Sequence, residues 1–214
     1  MRKIILSIFV ILFSLLIIAQ FSSNEKFHIK KSKEIVEEFK AGDIIFQSNN
    51  GRQSKAVKLA THSTFSHVGM IINHNGELQV LEAVEPVRIV SLKQWIANGI
   101  DQKYEVVRLK NEFDFKAKNN ELVQWVKTSK GKHYDLLFEW SDEKLYCSEL
   151  VWKVYKEVYG IELCELKKLK DFDLSHPFVQ VMLEERYGDN LPLNQSVVAP
   201  EDIYKSELIM KLPI

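Results

Sequence analysis

The sequence predicts a single α+β domain behind an apolar leader. Short strand-like runs bounded by turn residues cluster in the first half, longer helical patterns follow, and no βαβ alternation repeats. The 214 residues, 46% hydrophobic and 11% aromatic, supply one substantial core and too little for two full domains.

The leader differs in kind from the rest. Arg2 and Lys3 precede an apolar run, Ile4 to Ala19, broken only by Ser7 and Ser14, and no charge follows until Glu25. A charged start followed by such a run reads as an export signal, or as an uncleaved anchor that contacts the membrane. No A-x-A site and no cysteine for lipid attachment follows it. Either way the positive residues belong inside, which predicts an exported, cell-envelope protein. Residues 1–23 are thus leader, 24–41 a linker with a short helix over Ser32–Lys40, and 42–214 the working domain.

Within that domain, Gly42 to Gln47 (GDIIFQ) predicts a short buried strand, and Gln53 to Thr61 a helix with Ala56, Val57 and Ala60 inward. Ser66–Ile72 and Glu77–Val84 are strands joined by NHNG, whose Asn75-Gly76 pair is a strong hairpin signal. Ser91 with Gln94 forms a capping box opening a helix to Asn98, and Gly99 closes it. Tyr104–Leu109 is a further strand. Asp114 is expected to cap a helix to Lys130, buried through Leu122, Trp125 and Val126. Pro177–Tyr187 reads as a helix with proline at its first position and Gly188 after it. Pro200 begins a last helical turn, and Glu207–Leu212 a final strand.

The chemistry centres on YCSELVWKVY, Tyr146 to Tyr155. Leu150, Val151, Val154, Tyr155 and Val158 recur at helical spacing, which puts Cys147 in the first turn. Unpaired N–H groups and a partial positive charge at a helix start favour thiolate, drawing a cysteine pKa from about 8.5 to roughly 3.5–7.5. Buried packing is the competing reading of a lone cysteine there. A disulfide to Cys164, the other cysteine, is the second. Helical rise from Cys147 to a cysteine beyond the helix end sets the two too far apart, so two free thiols are expected.

A cysteine nucleophile needs a base and a group that orients it. Of six histidines, His28 lies in the linker, His74 in the hairpin turn, His133 in a loop and His176 beside Pro177, each most simply solvated or capping. His62 and His67 remain, and His67 opens the strand HVGMII. With Asn75-Gly76 as the turn, His74 pairs with Glu77 and His67 falls level with Val84. With His74-Asn75 as the turn, His67 falls opposite Glu82. The period of two puts His67 and Glu82 on one face in both registers. An ordinary cross-strand pair is the alternative.

Gly42-Asp43 before a buried strand, SHVGMII, Glu82 in LEAVEP, and YDLLFEW followed by YCSELV together resemble the YiiX/YebB-type branch of the NlpC-like cysteine hydrolases. The resemblance runs from about Gly42 to Tyr159, with Pro200-Glu201-Asp202 also fitting. It implies a circularly permuted papain-like fold, in which the histidine precedes the cysteine and an antiparallel sheet packs on helices. It further implies Cys147 as nucleophile, His67 as base and then acid, and Glu82 as the orienting group. Tyr146 would line the pocket, and the Cys147 backbone N–H would help to hold the oxyanion. Tyr134 and Asp135 match the family's Tyr-Asp pair, and loop fixing explains them equally well.

Lysine plus arginine equals aspartate plus glutamate, 29 each, so no basic field draws nucleic acid. There is no G-x-S-x-G, Walker loop or H-E-x-x-H, and His62 and His67 with one cysteine make a poor zinc set, so neither metal nor cofactor is expected. The expected function is a thiol amidase or peptidase acting on an amide substrate, such as peptidoglycan stem peptides. Lipid acyl chemistry of the lecithin retinol acyltransferase type and an inactive envelope binding module are the alternatives.

Overall fold

The computed structural model describes residues 39–213. The leader and the linker helix lie outside the described residues, apart from the linker's last residues, 39–41, which are not helical.

Six strands form one sheet. They are β1 (Ile44–Gln47), β2 (His67–His74), β3 (Glu77–Glu82), β4 (Arg88–Ser91), β5 (Tyr104–Leu109) and β8 (Ile209–Lys211). Their order is β4-β3-β2-β1-β5-β8, and every neighbouring pair is antiparallel. A second sheet pairs only β6 (Lys167–Lys168) with β7 (Ser196–Val197). The helices are α1 (Arg52–Thr61), α2 (Leu92–Ala97), α3 (Asn119–Ser129), α4 (Cys147–Lys153), α5 (Pro177–Tyr187) and α6 (Pro200–Tyr204).

The β2–β3 hairpin turns at Asn75-Gly76, both at positive φ (55° and 85°), with His74 opposite Glu77 and Met70 opposite Leu81. Backbone at positive φ through both turn residues matches the twist of the flanking strands. The register is therefore the one in which His67 falls level with Val84.

Gly42, just before β1, sits at φ +96°, and a Cβ there would fall 2.3 Å from the Phe115 ring. Its neighbour Asp43 is buried and takes both arms of the Arg108 guanidinium, Nε at 2.6 Å and Nη2 at 2.7 Å. The Gly-Asp pair thus anchors the edge of β1.

Core packing joins the sheet to α4. Ile44, Phe46, Val68, Met70 and Leu81 are sealed from solvent, as are Leu150, Val151, Val154 and Tyr155 across from them. Every residue of α4 is buried, as expected of a helix enclosed by its domain. It rests on β2 and β3, the strands that carry His67 and Glu82.

Three elements depart from expectation. Asp114 takes the Ala117 N–H at 3.1 Å in a turn, and the helix itself opens only at Asn119. A side chain that can cap can also close a turn, and here the turn wins. β3 ends at Glu82 rather than Val84, because the chain reverses through Glu85-Pro86 into β4, which the hydrophobic pattern does not announce. Finally, Ala56, Val57 and Ala60 of α1 are only partly buried, and they face a cavity shared with α5 rather than a packed core.

Candidate active site

Cys147 is the first residue of α4, and Tyr146 before it is extended (φ −99°, ψ 167°). The helix start is tied down on several sides. The Tyr146 N–H donates to the Glu149 carboxylate at 3.2 Å, and the Tyr146 hydroxyl accepts the Val198 N–H at 3.1 Å. The Ser148 hydroxyl donates to the Val198 carbonyl at 2.8 Å. Glu149, paired with Lys153 at 2.9 Å, is so enclosed that burial pushes its carboxyl up to about 7.

His67 sits at the start of β2 and Glu82 at the end of β3, so the hairpin brings both to one rim of the sheet. Imidazole Nε2 lies 2.7 Å from Glu82 Oε2, and the ring neighbours the Cys147 thiol closely enough for each to shift the other's ionisation. With Nε2 committed to the carboxylate, Nδ1 is the nitrogen left for sulfur. The imidazole stacks on Trp95 of α2 with centroids 5.8 Å apart and planes 22° from parallel. One face of the ring is thereby fixed.

Glu82 is held from its other side as well. Arg88, directly opposite it on β4, donates through Nε to Oε1 at 2.9 Å. Sequence reasoning missed Arg88. Its signal was the short Glu-Ala-Val-Glu-Pro-Val link between two strands, which sets Glu82 and Arg88 face to face.

The electrostatics follow from these contacts. Burial opposes charge on both Cys147 and His67, but each stabilises the other's charged form. Glu82 adds to the effect on His67, whose pKa is raised to about 9. Burial alone would raise the Cys147 thiol. Its hydrogen bond to His67, the imidazolium charge and the backbone N–H groups of Val68 and Ser148 instead hold it below the ordinary thiol value. Burial likewise opposes ionisation of Glu82, and the His67 and Arg88 contacts outweigh it. These contacts shift all three groups toward their charged forms.

Tyr134 completes the surroundings of the sulfur. A parallel bridge pairs it with Leu145, and its own N–H donates to Glu85 at 3.0 Å, which delivers the ring to the site. The pKa of the phenol is pushed far above the ordinary value, first by burial and then by the charge at Cys147. Its neighbour Asp135 takes the Leu137 N–H at 2.9 Å, a contact that fixes the loop.

Other histidines stand elsewhere. His62 pairs with Asp173 at 3.0 Å, His133 with Glu85 at 2.7 Å, and His176 caps α5 by accepting the Phe178 N–H at 3.1 Å. Cys147 and Cys164 are both free thiols.

Beside the sulfur opens a cavity of about 90 Å³ between α1, α5 and the segment before α6. Tyr146 lines it with its ring, which meets Phe138 edge-on at 5.0 Å.

Residues 38–212 match the family model of the permuted papain-like amidases, YaeF/YiiX, C92 family. The chain belongs to that family. Its curated relative YiiX of Escherichia coli K12, itself uncharacterised, is 48% identical over 163 residues, which span 76% of this chain and 80% of that protein. A crystal structure of YiiX from Escherichia coli O157:H7 superposes with a TM-score of 0.77 at 46% identity, covering 81% of this chain and 96% of that one. The α+β, permuted papain-like architecture and the cysteine hydrolase class of this YiiX-family member follow. The O157:H7 protein is described as a metalloprotein. Among the described residues of this chain, no three His, Cys, Asp or Glu side chains converge where an ion could be held.

Proposed function

We propose that this YiiX-family amidase is an exported cell-envelope enzyme in which Cys147 is the nucleophile, His67 the base and acid, and Glu82 the positioning residue. The observation that carries the reading is the buried His67–Glu82 pair, Nε2 to Oε2 at 2.7 Å, with Cys147 buried at the start of the helix that packs on their strands.

The Cys147 thiolate attacks the amide carbonyl carbon. The carbon–sulfur bond forms as the carbonyl π pair moves to oxygen, where the Cys147 N–H at its helix start stabilises it. The carbon–nitrogen bond then breaks as the His67 imidazolium passes its proton to the departing amine. Water, deprotonated by His67, cleaves the thioester and releases the acid, and the proton taken from water restores the imidazolium. Peptide amides of the cell wall fit the compartment that the leader suggests. Acyl chemistry on a lipid-like substrate is the second reading, favoured by the apolar cavity beside the sulfur.

The test is alkylation of the full-length protein as a function of pH, together with amide turnover by wild type and Cys147→Ser. A thiol that ionises well below about 8.5, with turnover abolished in the variant, supports the reading. A thiol that reacts only above that value, with no turnover, leaves an inactive binding module.

A further inference from the structure

We propose that Glu149 is a positioning residue for the carbonyl-addition step, holding the backbone of Tyr146 so that the Cys147 N–H faces the oxygen on which charge develops. This rests on the Cys147 nucleophile reading and extends it to the turn that carries the sulfur.

Glu149 has no exposed surface, and Lys153, one turn further along α4, is buried as well. Stability does not account for such a pair. Enclosure pushes the Glu149 carboxyl up to about 7, and a buried ion pair seldom stabilises a fold more than apolar side chains of the same volume. What an apolar side chain lacks is an acceptor. Glu149 reaches back from the first turn of α4, and its Oε2 takes the Tyr146 N–H at 3.2 Å.

The other carboxylate oxygen, Oε1, lies 2.9 Å from Lys153 Nζ, and that nitrogen also donates to the Ser141 carbonyl at 2.6 Å and to Asp142 Oδ1 at 2.8 Å. The Trp140 ring stands against the same ammonium at 5.3 Å. Because the helix and the loop before it both grip Lys153, the carboxylate is locked in its place.

Tyr146 is thereby held by all of its polar groups. Its N–H is on Glu149, its carbonyl takes the Leu150 N–H at 3.0 Å, and its hydroxyl takes the Val198 N–H at 3.1 Å. The first two contacts set the peptide planes on either side of Tyr146, at φ −99° and ψ 167°. A peptide unit is planar and trans, so a carbonyl committed to the helix sends the N–H of the next residue the opposite way. That N–H belongs to Cys147, and at a helix start it has no partner within the helix. Tilting the plane that Glu149 holds re-aims the plane that follows. A donor fixed beforehand toward the developing charge stabilises it, and one moved by about an ångström stabilises it far less.

The test compares two reactions of one sulfur in the full-length protein, buffered above the Glu149 value of about 7. Iodoacetamide alkylates the thiolate by displacing iodide from a saturated carbon, and no oxyanion forms. With p-nitrophenyl acetate, the carbon–sulfur bond forms as the carbonyl pair moves to oxygen, and p-nitrophenolate leaves in a burst as that pair returns. Glu149→Gln keeps an oxygen within reach of the Tyr146 N–H, and both rates should stay within about threefold of wild type. Glu149→Asp keeps the charge but draws it back by a methylene. Acylation should then slow by roughly 10- to 100-fold, short of the loss from deleting an oxyanion donor, while alkylation changes by less than about twofold. An equal fall in both rates for Glu149→Asp would make Glu149 a prop for the fold and overturn the proposal. So would a loss of acylation in Glu149→Gln as large as in Glu149→Asp. Hydrogen exchange needs no variant: the Tyr146 amide should be protected in wild type, and free exchange there would also overturn the proposal. A burst that survives Cys147→Ala would instead remove the nucleophile reading beneath it.

Discussion

Cys147 and Cys164 make a comparison inside one chain. Burial raises the thiol pKa at both, and at Cys164, with the Asp202 and Glu162 charges adding and Lys167 opposing, it carries the value to about 12. At Cys147 burial acts in the same direction and loses. The difference lies in what faces the sulfur: an imidazole backed by Glu82, and two backbone N–H groups, against carboxylates with a single lysine. A desolvated thiol is inert until a cation and donors are fixed beside it, and fixed partners gain strength from the burial that would otherwise suppress them.

The contrast can be broken from its strongest contact outward. Cys147→Ser should lower amide turnover by about 10⁴-fold or more, measured as kcat/KM. His67→Gln should cost about 10³-fold and make Cys147 resemble Cys164. Its iodoacetamide reaction, followed against pH, should then rise only above the ordinary thiol range of about 8.5. Glu82→Gln removes a group that holds His67 charged. The wild-type rate should rise with pH as Cys147 ionises and fall through about 9 as His67 loses its proton, and the variant's falling limb should move to lower pH. The rate at the optimum should drop roughly 10- to 100-fold, within the range for proton-transfer groups. Arg88→Met leaves the carboxylate in place and removes a contact whose cation is 37% exposed, so a loss of only a fewfold in kcat is expected. Cys164→Ala should change turnover by less than about twofold, with mass spectrometry still finding alkyl adduct on Cys147 alone at neutral pH.

What the sequence disclosed about this site was local or periodic. Asn75-Gly76 fixes a two-residue turn, and from it the period of two sets His67 and Glu82 on one face across the hairpin. The helical spacing from Leu150 to Val158 does the same for Cys147, setting it in the first turn of a helix. Contacts made through chain reversals without a pattern stayed hidden. Arg88 reaches Glu82 only after the bend at Glu85-Pro86, and Tyr134 reaches the sulfur through a single parallel bridge to Leu145. The cavity was less visible still. The apolar face of α1 reads as a core face, and nothing local says that α5, far along the chain, stands off from it and leaves a space.

The order of the parts along the chain has a consequence for folding. His67 and Glu82 meet through a hairpin, a contact between near neighbours, whereas Cys147 joins them from far downstream. Near contacts close early and distant ones late. Until α4 docks, Cys147 is an ordinary thiol, only a few per cent ionised at neutral pH. Reactivity is therefore the last property the polypeptide acquires, and half-made chains pass through synthesis without a live nucleophile.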